Sequence, residues 1–164
     1  MPLEHPDQKH FEAACGYLQL GLYLEANEEI ENVDPFNRAA PEILALRVEI
    51  YSRLQKWELM AEIARRLAEF QPNEPQWFIS LAFATRRLES VEAARKILLA
   101  AEANFPTDPT VKYNLACYES VSGRIESAKD CLKKCFALDP GLRMEALADD
   151  DLQPLWDELA QPLT

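Results

Sequence analysis

Four cysteines, two histidines, a dispersed set of carboxylates and ten arginines are the side chains of this 164-residue chain that could do chemistry. Cys15, Cys117, Cys131 and Cys135 form no CxxC pair, and Cys131 and Cys135 stand at i, i+4, where they stack on one helix face. His5 and His10 lie near the N-terminus, far in sequence from three of the cysteines. A zinc site is therefore not expected, and the cysteines read as buried free thiols. No P-loop, GxGxxG, HExxH, GxSxG or kinase signature is present. The carboxylates are scattered over helix faces, where solvation or i, i+4 pairing accounts for them. The expectation is a non-enzyme without metal or cofactor.

Against a formal charge of −11, the arginines are the side chains that could hold an acidic group. A guanidinium fork can hold a carboxylate bidentately, although exposed helical arginines also simply pair with nearby glutamates. Aromatic side chains could anchor an extended peptide or a partner helix, because they supply large contact area at low entropy cost. Their alternative role is packing between helices.

The charge has its own consequences. A net −11 argues against a non-specific grip on nucleic acid or anionic lipid, both of which need a cationic face. Residues 139–164 hold seven acids against Arg143, a local charge of −6. Residues 1–10 do not read as a secretory signal, and no stretch approaches the roughly 18 apolar residues of a membrane span. A cytoplasmic protein is the expectation.

The elements that must position these groups are marked by prolines. Pro72, Pro106 and Pro140 lie 34 residues apart, as do Pro41, Pro75 and Pro109. That period is the length of a two-helix unit that stacks into a solenoid. Units then run over 7–40, 41–74, 75–108 and 109–140, preceded by a lead at 1–6. Small residues at unit positions 8 and 20 (Ala14 and Ala26, Ala82 and Ala94, Ala116 and Ala128) allow close helix approach, with larger aliphatics such as Ile30, Leu98 and Leu132 beside them. Gly21 and Gly123 sit where a tight antiparallel turn needs positive φ. The second unit partly exchanges large and small, with Arg47, Val48, Met60 and Ala64 in those slots, and Asp34-Pro35 predicts an early end to the first unit's second helix.

Residues 141–164 read as an acidic capping segment. Leu152, Leu155, Trp156 and Leu159 follow i, i+3, i+4, i+7, predicting a helix over about 151–161 behind three aspartates that favour its N-terminus. The competing role for those acids is a tail that competes for a basic ligand.

Leu81-Ala82 with Ala94-x3-Leu98 and Pro106, and Leu115-Ala116 with Ala128-x3-Leu132 and Pro140, resemble the tetratricopeptide repeat (TPR) pattern. The resemblance spans residues 7–140 and implies an all-α, right-handed solenoid of about four antiparallel helix pairs with a C-terminal capping helix. It also implies that the first helix of each unit lines a concave groove. Within that groove fall Phe11 and Cys15, then Glu49 and Arg53, then Ile79, Phe83, Arg86 and Arg87, then Tyr113, Asn114 and Cys117, so that the resemblance makes Phe11, Phe83 and Tyr113 the candidate anchors and Arg53, Arg86 and Arg87 the candidate carboxylate holders. Asn114 sits where this family often carries an asparagine that bonds a bound peptide's backbone. The carboxylate-clamp residues of chaperone-binding members are not matched in either frame. The resemblance thus implies a protein-interaction scaffold that binds a peptide segment or helix of another protein. The alternative is a dedicated chaperone, similar to small TPR secretion chaperones that hold one client. Self-association through the solenoid ends, with Trp77 or Trp156 at a joint, is the remaining partner expectation.

Overall fold

The computed structural model describes residues 5–161, so most of the expected 1–6 lead and the last three residues of the acidic segment lie outside it. Among the described residues the chain is entirely helical, and its helices pack in adjacent pairs. Eight long helices come first: α1 (His5–Gln19), α2 (Tyr23–Asn32), α3 (Pro41–Arg53), α4 (Trp57–Phe70), α5 (Pro75–Leu88), α6 (Val91–Asn104), α7 (Pro109–Val121) and α8 (Ile125–Leu138). Three short elements follow: α9 (Leu142–Ala146), a 3-10 helix (Asp150–Leu155) and α10 (Trp156–Leu159). The chain divides into two compact units, Met1–Ala84 and Thr85–Thr164.

Both proline sets act at helix boundaries. Pro41, Pro75 and Pro109 are the first residues of α3, α5 and α7, where a missing N–H removes no intrahelical bond. Pro72, Pro106 and Pro140 each fall two residues beyond the ends of α4, α6 and α8. Likewise α2 ends at Asn32, just ahead of Asp34-Pro35. Asp108 adds a cap to α7, accepting the Val111 N–H at 2.8 Å.

The turns inside the pairs repeat in three places. After α1, α3 and α7 the residue at unit position 15 has a left-handed backbone: Gly21 at φ 75°, Gln55 at 56° and Gly123 at 76°. The next N–H reaches back five residues, from Leu22 to Tyr17 O, Lys56 to Tyr51 O and Arg124 to Glu119 O, at 2.8–2.9 Å. This is the Schellman closure, which satisfies carbonyls that the helix end leaves open. Between α5 and α6 the chain turns differently. Glu89 bonds back to Thr85 O, and the Ser90 hydroxyl accepts the Ala93 N–H at 3.1 Å as the cap of α6.

Packing follows the small-residue slots. Ala14, Ala26, Ala82, Ala94, Ala116 and Ala128 all have zero exposure. In the first compact unit Ile30, Ile43, Ile50, Ala64 and Leu67 complete the core. Val48 and Met60 are buried there too, so the exchanged sizes of the second repeat are accommodated by an adaptable thioether. Arg47 stays largely buried, and its guanidinium reaches Glu31 at 2.7 Å, tying α3 to α2. Trp77, expected at a joint between molecules, is instead buried, with its indole N–H on Gln71 at 2.7 Å. It is too short of exposed surface to make a joint.

The second compact unit buries Leu98, Val111, Leu115, Leu132 and Cys135. Glu119 lies inside it at 1% exposure, held by Arg95 at 2.7 Å and Arg124 at 2.5 Å. A carboxylate that deep is stable only because both cations neutralise it.

The C-terminal segment differs from the helix predicted over 151–161. Residues 150–155 form a 3-10 helix with Pro154 inside, and only one α-turn follows. Proline lacks the N–H for α-helical pairing and its ring crowds the preceding turn, which explains the tighter winding. Leu152 and Leu155 are nonetheless fully buried, and Trp156 donates to Ala146 O at 3.0 Å.

Candidate functional site

The candidate groove residues belong to α1, α3, α5 and α7, and they fall in both compact units. In the first, Phe11 is half-buried against the core and Cys15 is partly exposed beside it in sequence phase on α1. On α3, Glu49 accepts the Arg53 guanidinium at 2.8 Å, an i, i+4 pair between half-exposed side chains. The carboxylate also raises the arginine's pKa. This ion pair borders a cleft of about 530 Å³ whose other walls include Leu18 and Tyr23. Arg53 thus follows the simpler of its two expected roles, pairing with a neighbouring glutamate, while remaining at an open surface.

Ile79 and Phe83 are half-buried on α5. The Phe83 ring meets Trp57 edge to face, with centroids 5.8 Å apart and planes at 69°. That is interhelix packing, worth roughly 0.5–1.5 kcal/mol beyond area burial.

In the second compact unit three of the candidate residues, Arg86, Tyr113 and Cys117, contact the chain's own acidic segment. Arg86 grips Asp151 with both terminal guanidinium nitrogens, Nη2 to Oδ1 at 2.8 Å and Nη1 to Oδ2. The Tyr113 hydroxyl donates to Asp149 Oδ2 at 2.9 Å, and the Cys117 thiol approaches the same oxygen at 3.5 Å. The Asp149 side chain also accepts the Asp151 N–H at 3.0 Å, capping the 3-10 helix. Arg86 lies over the Tyr118 ring, 5.4 Å from its centroid, which orients the fork toward the carboxylate. The bidentate carboxylate grip expected of the arginines is therefore made, but within the molecule.

Electrostatics follow from burial in this patch. The Asp151 carboxylate raises the Arg86 pKa, whereas burial and the neighbouring Arg86 charge lower that of Arg87. Burial pushes the Cys117 thiol and the Tyr113 phenol well up, and the Asp149 charge adds to both. Tyr118 is raised to about 12 by burial. Asn114 turns back on its own helix, donating from Nδ2 to Thr110 O at 2.9 Å.

Among the described residues, Cys117, Asp149 and Asp151 are the one trio of metal-ligating side chains, their ligand atoms lying within 4.8 Å. Their chemistry does not favour a cation. Asp151 already neutralises a guanidinium, Asp149 accepts from three donors, and thiolate formation at Cys117 is strongly disfavoured. The remaining cysteines are free thiols; Cys131 and Cys135 are buried, with pKa values raised to about 11 by desolvation.

Asp149 and Asp151 are the site residues that sequence reasoning did not select. The available signal was the acidic run at 149–151, set against the arginines at the expected groove positions. The partners are 65 residues apart for Arg86 and 36 for Tyr113, so no local pattern joins them.

Among the described residues no helix is long and apolar enough to cross a membrane. No protein-family model and no curated sequence relative matches the chain. Solved structures do. MamA from Desulfovibrio magneticus RS-1 superposes with a TM-score of 0.70 at 16% identity, covering 96% of this chain and 93% of that one. A MamA MSR-1 structure gives 0.66 at 20% identity, covering 80% and 75%. YrrB, described as a TPR protein with an unusual peptide-binding site, gives 0.68 at 16% identity, covering 87% and 73%. The chain has the fold of tetratricopeptide repeat proteins.

Proposed function

We propose that this chain is a non-enzymatic protein-interaction scaffold that binds a peptide segment or helix of a partner protein. The observation that carries the proposal is the cleft of about 530 Å³ on the first compact unit, bordered by Leu18 and by the Glu49–Arg53 pair. It offers an aliphatic wall and an exchangeable ion pair side by side, the combination that anchors a short amphipathic segment. Phe11 and Cys15 on α1 and Ile79 and Phe83 on α5 supply further partly exposed apolar surface. The fold it shares with YrrB, whose peptide-binding site is part of that protein's description, supports the same assignment. Arg86, Arg87, Tyr113, Asn114 and Cys117 extend the proposal to the second compact unit.

The test is affinity capture with the full chain and with a Leu18→Glu, Arg53→Glu double variant, followed by titration of a captured partner's fragment. Placing repulsion at an anchor and at its neighbouring charge should weaken binding about 10- to 100-fold, the range of an interface hot spot. Circular dichroism verifies that the variant is folded. Undiminished binding of every partner would refute the assignment of this face.

A further inference from the structure

The acidic segment makes contacts of the kind a bound ligand makes. Along residues 149–155 the inward and outward side chains are sorted by chemistry. Asp149 and Asp151 meet Tyr113, Cys117 and Arg86, and Leu152 and Leu155 are buried at zero and 1% exposure. Asp150, Gln153 and Pro154 remain exposed. The segment touches α7 more extensively than it touches α8. It therefore defines a recognition pattern: two carboxylates two residues apart, a leucine directly after the second, and another leucine three residues on.

We infer that the surface of the second compact unit formed by Arg86 and α7 is a docking site for an acidic, leucine-containing peptide segment of a partner protein, and that residues 149–155 occupy it as an internal competitor. The inference rests on the interaction function proposed above. Charge complementarity selects the occupant. Arg86 presents a two-pronged donor that matches a carboxylate, and Tyr113 adds a neutral donor for a second one. A basic or neutral segment would leave the guanidinium partly desolvated and unpaired. An internal occupant also sets a threshold. A partner sees only the fraction of molecules whose segment has lifted, so its apparent affinity is the intrinsic one reduced by that fraction.

The test uses the full chain and a fluorescent synthetic peptide of residues 147–161 as the probe. In the Asp149→Asn, Asp151→Asn variant the internal competitor loses its charge, and the probe should bind about 10- to 100-fold tighter than to the unaltered chain. Hydrogen exchange of residues 149–155, resolved by mass spectrometry, should accelerate in the same variant and in the unaltered chain under excess probe. Adding Arg86→Gln, or the milder Tyr113→Phe, to the variant should weaken probe binding again. A probe carrying asparagine in place of both aspartates should bind poorly.

Three results would overturn the proposal. The segment could exchange faster in the variant while the probe still fails to bind, so that the uncovered surface takes no acidic peptide. The amides could remain equally protected in variant and unaltered chain, making the segment a fixed cap. Or light scattering could show a concentration-dependent dimer with the segment still protected, assigning the surface to a second copy. None of these touches the α1–α3 cleft: capture lost with the Leu18, Arg53 variant would still uphold binding at that face, and capture retained would refute that face alone.

Discussion

Gln55 is the residue at which the repeat conflicts with its own backbone. It holds φ at 56°, in the position occupied by glycine after α1 and α7, and its N–H still bonds Ser52 O at 3.2 Å. A left-handed conformation costs a side-chain-bearing residue roughly 1–2 kcal/mol, while glycine loses roughly 0.5–1 kcal/mol more chain entropy on folding. Gln55→Gly should therefore stabilise the chain by about 0.5–1 kcal/mol. With a urea m-value near 2 kcal/mol/M, the unfolding midpoint should rise by about 0.3–0.5 M. The reciprocal change is Gly123→Ala. An added Cβ there meets no atom within 4 Å, so the loss should be purely conformational, about 1 kcal/mol. Paired urea titrations by circular dichroism read both variants. A Gln55→Gly variant less stable than the parent would mean instead that contacts of the exposed glutamine side chain outweigh backbone strain at this turn.

Other perturbations test other parts of the structure. Leu152→Ala removes a fully buried side chain and should lower stability by about 2–5 kcal/mol, measured by the same titration. Asp7 should contribute to acid lability. The Asp34 N–H and the Asn37 amide hold its carboxyl below the ordinary 3.8, so its stabilisation is complete above the unfolded value and lost as pH falls through the lower folded one. Asp7→Asn should flatten the acid limb of stability against pH, and an unchanged limb would exclude that role. Cys15, partly exposed, should be alkylated first at pH 8, well ahead of Cys131 and Cys135, whose thiols are raised to about 11. Mass spectrometry of partly modified protein gives the order directly.

The fold was legible because its signals are local and repeated. Prolines at helix starts and past helix ends, and alanines at the two closest-packing slots, act within a few residues of where they stand. The turn between α5 and α6 shows the limit of that logic: with Glu89 in the glycine slot, the chain uses the Ser90 cap instead of a left-handed residue. The C-terminal segment was legible in part. Its leucine stripe marked burial, but Pro154 converts the expected α-helix into 3-10 winding. The candidate site was least legible. Arg86, Tyr113 and Cys117 were selected by position, yet what they hold is set by contacts more than 30 residues away, which no spacing rule encodes.

The claim on which the second unit's binding role stands is that Arg86 and Asp151 recognise one another specifically. A double-mutant cycle of Arg86→Gln and Asp151→Asn, read as unfolding free energy, measures that recognition without a partner. Both side chains are about a quarter exposed, which limits screening without abolishing it. The bidentate geometry predicts a coupling of about 1 kcal/mol or more, falling as salt is raised. Additive single effects, with no coupling at low salt, would contradict the account.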